Sequence, residues 1–246
     1  MKSMSTRRRA LVLASSLALL SSLGLWATAV EAWWWTPPPP PSSCGSSTFP
    51  ATGQITPATG TMTHTGATVR DDGFVKAGGA LSYQDNGDGT VTDLNTLLMW
   101  EKKSMDGSLH DVNKFFLWSS PVTDTVWDWV DAVNTELGTG IGFAGYNDWR
   151  LANVKELQSI VDYGRSDPAV DPAFNNNVSA GCTVLTCSAT RSAGGGPPPM
   201  ADYWSSTNAG AFSMAAWVVQ FRFGSVSIFS WSFPFQVRAV RGGCVP

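Results

Sequence analysis

Acid–base or nucleophilic chemistry in this chain would have to run through few side chains. Of the two histidines, His64 lies in a Ser/Thr-rich stretch and His110 in a polar loop beside Asp111. A Ser–His–Asp relay would need His110, and no Gly-x-Ser-x-Gly elbow supplies its nucleophile. Two acidic stretches invite a metal reading. Set against a calcium-binding EF-hand loop with Gly89 at its glycine position, Asp85–Thr90 places Gln84 and Asn95 where the template requires carboxylates. A hairpin turn accounts for it better. Asp162, Asp167 and Asp171, followed by Asn175–Asn177, form an oxygen-rich stretch from which a loop calcium could draw ligands. They serve equally well as capping and turn-forming residues. Calcium is the one cofactor with a candidate site, and the inventory points away from an enzyme.

Binding chemistry has better material. Arg222, Arg238 and Arg241 stand against Asp202 alone in the C-terminal stretch, and they are the candidates for anion contact. Trp231 sits in an alternating run, Phe229, Trp231, Phe233 and Phe235, in which Pro234 bars a central strand. An aromatic edge or loop follows, and Trp231 is the candidate for stacking on a sugar ring or anchoring a partner.

The elements that must hold these residues are legible over most of the chain. Lys2 and Arg7–Arg9 precede an uncharged run from Ala10 to Val30 with small residues near its end, the pattern of a secretory signal over 1–32. The rival reading is an uncleaved anchor with Trp33–Trp35 at the membrane surface. Residues 33–69, with Pro37–Pro41 and then Ser, Thr, Gly and Ala, read as a spacer. Without residues 1–32, 12 Lys/Arg face 18 Asp/Glu, a net charge of −6 that disfavours nucleic acid.

Globular character begins near Arg70. Phe74 to Tyr83 suggests a strand or two, Asn86–Gly89 a hairpin turn, and Leu97–Trp100 a buried strand. A first helix is predicted over Asp124–Leu137, with Val126, Val130, Val133 and Leu137 on its inner face and Gly138 as its stop. Trp149-Arg150-Leu151 reads as a strand feeding a second helix. Asn153 caps that helix, Glu156 completes the capping box, Val154, Leu157, Ile160 and Val161 share a face, and Gly164 supplies the stop. Residues 165–201, rich in Asp-Pro, Asn and Gly-Pro, read as one long irregular loop. Tyr203–Ser206, a hairpin about Gly224 and Gln236–Arg241 return to strands. The expected class is α+β: two helices packed on a mostly antiparallel, twisted sheet, with the long loop inserted.

Four ordered blocks carry a family resemblance. Gly145 to Leu151, including Asp148, Trp149 and Arg150, continues through Val154-Lys155-Glu156-Leu157. Asp85–Asp93 with Leu98-Met99-Trp100, then Tyr203–Ser206, then Val237–Gly243 complete the set. Together these resemble the Lcl C-terminal domain family, named for a collagen-like bacterial adhesin. Two departures stand out: Ala152 replaces the proline usual after Trp-Arg-Leu, and no Gly-X-Y collagen repeat is present. The resemblance implies a C-type-lectin-like fold in which first and last strands pair, and a glycan or surface protein as partner. Without the collagen stalk, trimerisation through it cannot be assumed, although a homo-oligomer of another kind is compatible.

Four cysteines suit export into an oxidising compartment. Of the three possible pairings, Cys182–Cys187 with Cys44–Cys244 is favoured. The first would close a tight loop; the second follows partly from the strand pairing that the resemblance implies. A cysteine pair of similar separation occurs in the formylglycine-generating enzymes, which share a similar fold, but there it lies nearer the C-terminus. The reading is therefore an exported, non-catalytic binding or adhesion module. Its rivals are an assembly subunit whose aromatic tail packs on a neighbour and, behind that, an oxidase.

Overall fold

The computed structural model describes residues 49–58, 69–104, 106–121, 124–138, 140–166, 168–174 and 202–242. The expected signal over 1–32, all four cysteines, His64, Asp167 and Asn175–Asn177 lie outside the described residues. No helix among the described residues is long and apolar enough to cross a membrane.

The elements in chain order are helix α1 (Asp72–Val75), strands β1 (Tyr83–Asp85), β2 (Thr90–Asp93), β3 (Leu98–Glu101) and β4 (Phe116–Leu117), helix α2 (Val126–Thr135), β5 (Arg150–Leu151), helix α3 (Val154–Ser159), then β6 (Asp202–Asn208), β7 (Ala215–Gln220), β8 (Ser225–Ser230), β9 (Pro234–Phe235) and β10 (Ala239–Gly242). They form three antiparallel sheets, ordered β1-β2-β3-β10-β5, β6-β7-β8 and β4-β9. The α+β class holds, with more sheet than helix.

Local chemistry explains the early hairpin. Gly87 and Gly89 take φ of +78° and +91°, and Asp85 and Asp88 accept the amides of Gly87 and Thr90. The buried strand comes next as β3, with Trp100 fully enclosed.

Two apolar clusters make the core, and the β6-β7-β8 sheet feeds both. Tyr203 and Val219 enter the cluster that holds Val91, Trp100, Leu157 and Phe174. Their neighbours Trp204 and Val218 enter the cluster that holds Trp129, Val133, Trp149 and Phe235. A strand with alternate residues in two cores must be apolar without interruption, which is how Tyr203-Trp204 and Val218-Val219 read.

Helix α2 starts on a capping box, with Thr125 and Asp128 exchanging bonds, and buries Val126, Trp129 and Val133. It is shorter than expected: Leu137 lies beyond its end in solvent, and Trp129 takes the inner place allotted to it. Helix α3 keeps its predicted capping box, Asn153 with Glu156, but stops at Ser159 with Ile160 as C-cap. Gly164 is therefore not its stop. A Cβ there would lie 2.3 Å from the carbonyl oxygen of Gly53, so glycine serves close backbone approach.

Three other expectations change. Residues 72–75 form one helical turn capped by Asp71, so the strand or two expected over Phe74–Tyr83 reduces to a bridge at Gly79 and the start of β1 at Tyr83. The last strand, β10, lies between β3 and β5, whereas β1 pairs with β2 at the far edge. The expected pairing of first and last strands does not occur among the described residues. Finally, the start of the expected long loop is core, because Ala169, Val170 and Phe174 are buried and Ala169 N donates to Phe221 O at 2.7 Å.

Part of the stretch read as spacer is tied to this body. Ala51 N donates to Gly79 O, Gly79 N to Phe49 O, and Tyr163 N to Thr52 O, each within 2.8 Å.

Candidate functional site

The family-like turn is a scaffold first. Trp149 is buried; its indole N–H donates to Phe143 O at 2.9 Å and its backbone exchanges two bonds with the Asn134 side chain. Arg150 donates from both terminal nitrogens to Glu156, each at 2.7 Å, while Glu156 also accepts the Asn153 amide. Asp148 accepts two bonds from Arg241.

That last pairing redefines one anion candidate. Arg241 is buried, bound to Asp148 and laid 3.6 Å over the ring of Tyr146. Arg238 departs further: it is fully enclosed, donates to the backbone carbonyl of Glu101, and lies over Phe174 and Tyr203. Both are held inside, where an external anion does not meet them. Arg222 is exposed in the β7–β8 turn, over Phe223 at 4.9 Å. Trp231 follows the opposite end of β8, roughly 20 Å away by strand rise. The four candidates do not form one site.

Trp231 does belong to a surface cluster. Its ring stacks on Trp118 at 4.7 Å and 17°, and Trp118 meets Trp127 edge-on at 5.1 Å. Three elements position them: Trp118 follows β4, Trp127 opens α2, and Trp231 leaves β8. Trp118 is pinned by donation from its indole N–H to Ser205 O at 2.8 Å. Trp127 is 41% exposed and the other two are half-buried. Asp124, Asp128 and Asp131 are exposed close to Trp127 in the chain, and Ser232 adjoins Trp231. Apolar ring surface beside carboxylates and hydroxyls suits a ligand that stacks and donates hydrogen bonds.

Asp162 and Asp171 line one cleft of about 460 Å³, together with Lys76 and Arg165. Asp162 accepts from Gly164 N and pairs with Arg165 Nε at 2.9 Å, and Asp171 accepts from Ala173 N. These oxygens serve turns and an ion pair. Among the described residues no group of three or more His, Cys, Asp or Glu side chains is placed to hold a metal ion.

Sequence reasoning missed a buried charged cluster. Glu101 Oε1 lies 2.7 Å from both Lys103 Nζ and His110 Nδ1, and Oε2 accepts Ala239 N at 2.9 Å. His110 Nε2 lies 2.9 Å from Glu136 Oε2. Burial alone would push the Glu101 carboxyl up, but Lys103 and His110 together hold it at about 2. Burial also opposes charge on His110, yet its bond to Glu101 and that carboxylate's charge raise its pKa. With both ring nitrogens engaged by carboxylates, His110 is a structural cation. In the sequence it stands in a polar loop beside Asp111, and nothing local marks Glu101 or Glu136 as its partners.

Residues 89–241 match a family model described as Lcl C-terminal domain. No curated protein and no solved structure matches the chain.

Proposed function

The chain belongs to the Lcl C-terminal domain family, and we propose that it is an exported, non-catalytic binding or adhesion module that recognises a surface glycan. The observation that carries this reading is the Trp118–Trp127–Trp231 cluster at the surface. Its neighbourhood of carboxylates and serines favours an uncharged glycan over a sulfated one, and the internal commitments of Arg238 and Arg241 agree. A C-type-lectin-like arrangement is part of this reading, as is export on the basic, then apolar, N-terminal segment. The engagement of both His110 nitrogens supports a non-catalytic role.

A glycan array probed with the full chain, Trp127→Ala and Trp231→Ala tests it. The expected result is neutral-glycan binding weakened at least about tenfold by each change, the size of a lost aromatic contact. Binding that survives the double variant removes the assignment.

The second reading, an assembly subunit, draws on a separate set of exposed apolar residues, Phe212, Met214, Phe223 and Phe233. Oxidase chemistry would require free thiols at Cys182 and Cys187.

A further inference from the structure

β8 is the outer strand of the β6-β7-β8 sheet. Its register on β7 sets Val226 against Val219, Ile228 against Trp217 and Ser230 against Ala215. Beyond the strand, Trp231 N donates to Met214 O at 2.9 Å. Bonded and non-bonded pairs alternate along an antiparallel ladder. With Trp231 and Met214 bonded, Phe229, Ser227 and Ser225 face β7, and Val226, Ile228 and Ser230 turn their N–H and C=O groups outward. Among the described residues no strand lies along that edge. Edges are ordinarily blunted by a charge, a proline or a bulge. Ser225–Ser230 has none of the three: its register is unbroken, and no charged residue occurs between Arg222 and Arg238.

We propose that β8 joins two copies of this chain, edge to edge and antiparallel, about a two-fold axis at Ile228. Outward amides and carbonyls at a two-residue repeat are matched by another extended backbone. A second copy supplies the same three outward residues. The register centred on Ile228 uses all of them, with Ile228 opposite Ile228 and Val226 opposite Ser230. No like charges meet. The same operation carries Phe223, in the β7–β8 turn, opposite Phe233 beyond the other end of the strand. Both are exposed, at 56% and 46%. Near that end a shallow depression of about 380 Å³ is lined by Phe212, Met214 and Ile228. Apolar surface at one end of β8 thus meets apolar surface at the other. The sheet then runs continuously through both chains, and the two-fold contact is closed.

Light scattering on the full chain, with amide exchange followed across a dilution series, tests this. The expected result is the mass of two chains, with the amides of Val226, Ile228 and Ser230 slowed at high concentration and fast after dilution. Ser230→Pro removes an outward N–H without touching a β7 bond. Ile228→Lys sets two ammonium groups against each other at the axis. Each variant is expected to be a monomer that melts with the diluted wild type. Should a variant fail to fold, the wild-type exchange pattern decides. A wild-type monomer at every concentration overturns the proposal. So does a dimer whose three amides exchange freely or which survives both substitutions, and so does an edge protected only by a different protein.

Discussion

His110 Nδ1 lies 2.7 Å from Oε1 of Glu101, so a loop residue is fixed to a fully buried carboxylate of the central sheet. The other Glu101 oxygen holds the Ala239 amide on β10, and Arg238 donates to the Glu101 carbonyl. One residue thereby ties the 104–111 loop to two neighbouring strands.

This arrangement predicts a pH dependence with a definite sign. The folded-state pKa of His110 is raised, so its contribution is complete below the unfolded value of about 6.5 and fades as pH rises through the folded value. His110→Gln should lower stability by about 2–4 kcal/mol at pH 6, as expected for breaking a buried pair. The gap from wild type should narrow towards pH 9. Thermal melts of both proteins across that range check this, and a gap independent of pH refutes the ionic account.

Asp202 predicts the opposite kind of variant. Burial pushes its carboxyl up to about 6, with the Gln220 amide only partly offsetting it. An acid whose folded pKa is raised destabilises the fold once ionised, as pH climbs from about 4 through 6. Asp202→Asn keeps an acceptor for Gln220 Nε2. It should stabilise the protein by about 1–2 kcal/mol at pH 7 and leave it unchanged at pH 4. Chemical denaturation at the two pH values distinguishes this from a general packing effect.

The Asp148–Arg241 pair should show real coupling although Asp148 is half exposed. Arg241 is buried and spread over Tyr146, so removing the carboxylate leaves a guanidinium without its main charged partner. Asp148→Asn should cost about 1–2 kcal/mol, and Arg241→Met should make the Asp148 change nearly neutral. A double-mutant cycle measures this; additive costs would assign Arg241 to packing alone.

Glu156 should matter more than Asn153, although both complete the same cap. Asn153→Ala removes one acceptor and should cost about 1 kcal/mol. Glu156→Ala removes the Asn153 amide's partner and both Arg150 bonds, and should cost about 2 kcal/mol. Urea midpoints at constant slope give the comparison.

The features that could be read from sequence are those made by near neighbours. The Asn86–Gly89 turn, the Asn153–Glu156 cap and the hairpin about Gly224 each depend on residues a few positions apart. The arginines could not be read in that way. Arg238 lies in a strand-like run where alternate positions face solvent in an ordinary sheet, and Glu101, Phe174 and Tyr203 are what enclose it. Trp231 was legible as an aromatic outlier. Its neighbours Trp118 and Trp127 sit in unremarkable local patterns, and only the folding of β4 and α2 against the end of β8 brings them to it. His110 reads from sequence only as a polar-loop residue, because the carboxylates that hold it, Glu101 and Glu136, lie 9 and 26 positions away in the chain.

β10 lies between β3 and β5, yet it is synthesised after every other described strand. A nascent chain therefore cannot close its five-stranded sheet until residues 239–242 have left the ribosome. Until then Glu101 lacks the Ala239 amide and Arg241 is not there to meet Asp148. β1-β2-β3 and β5 have no strand to join them before that point, and the sheet's two parts wait on the last strand to be made.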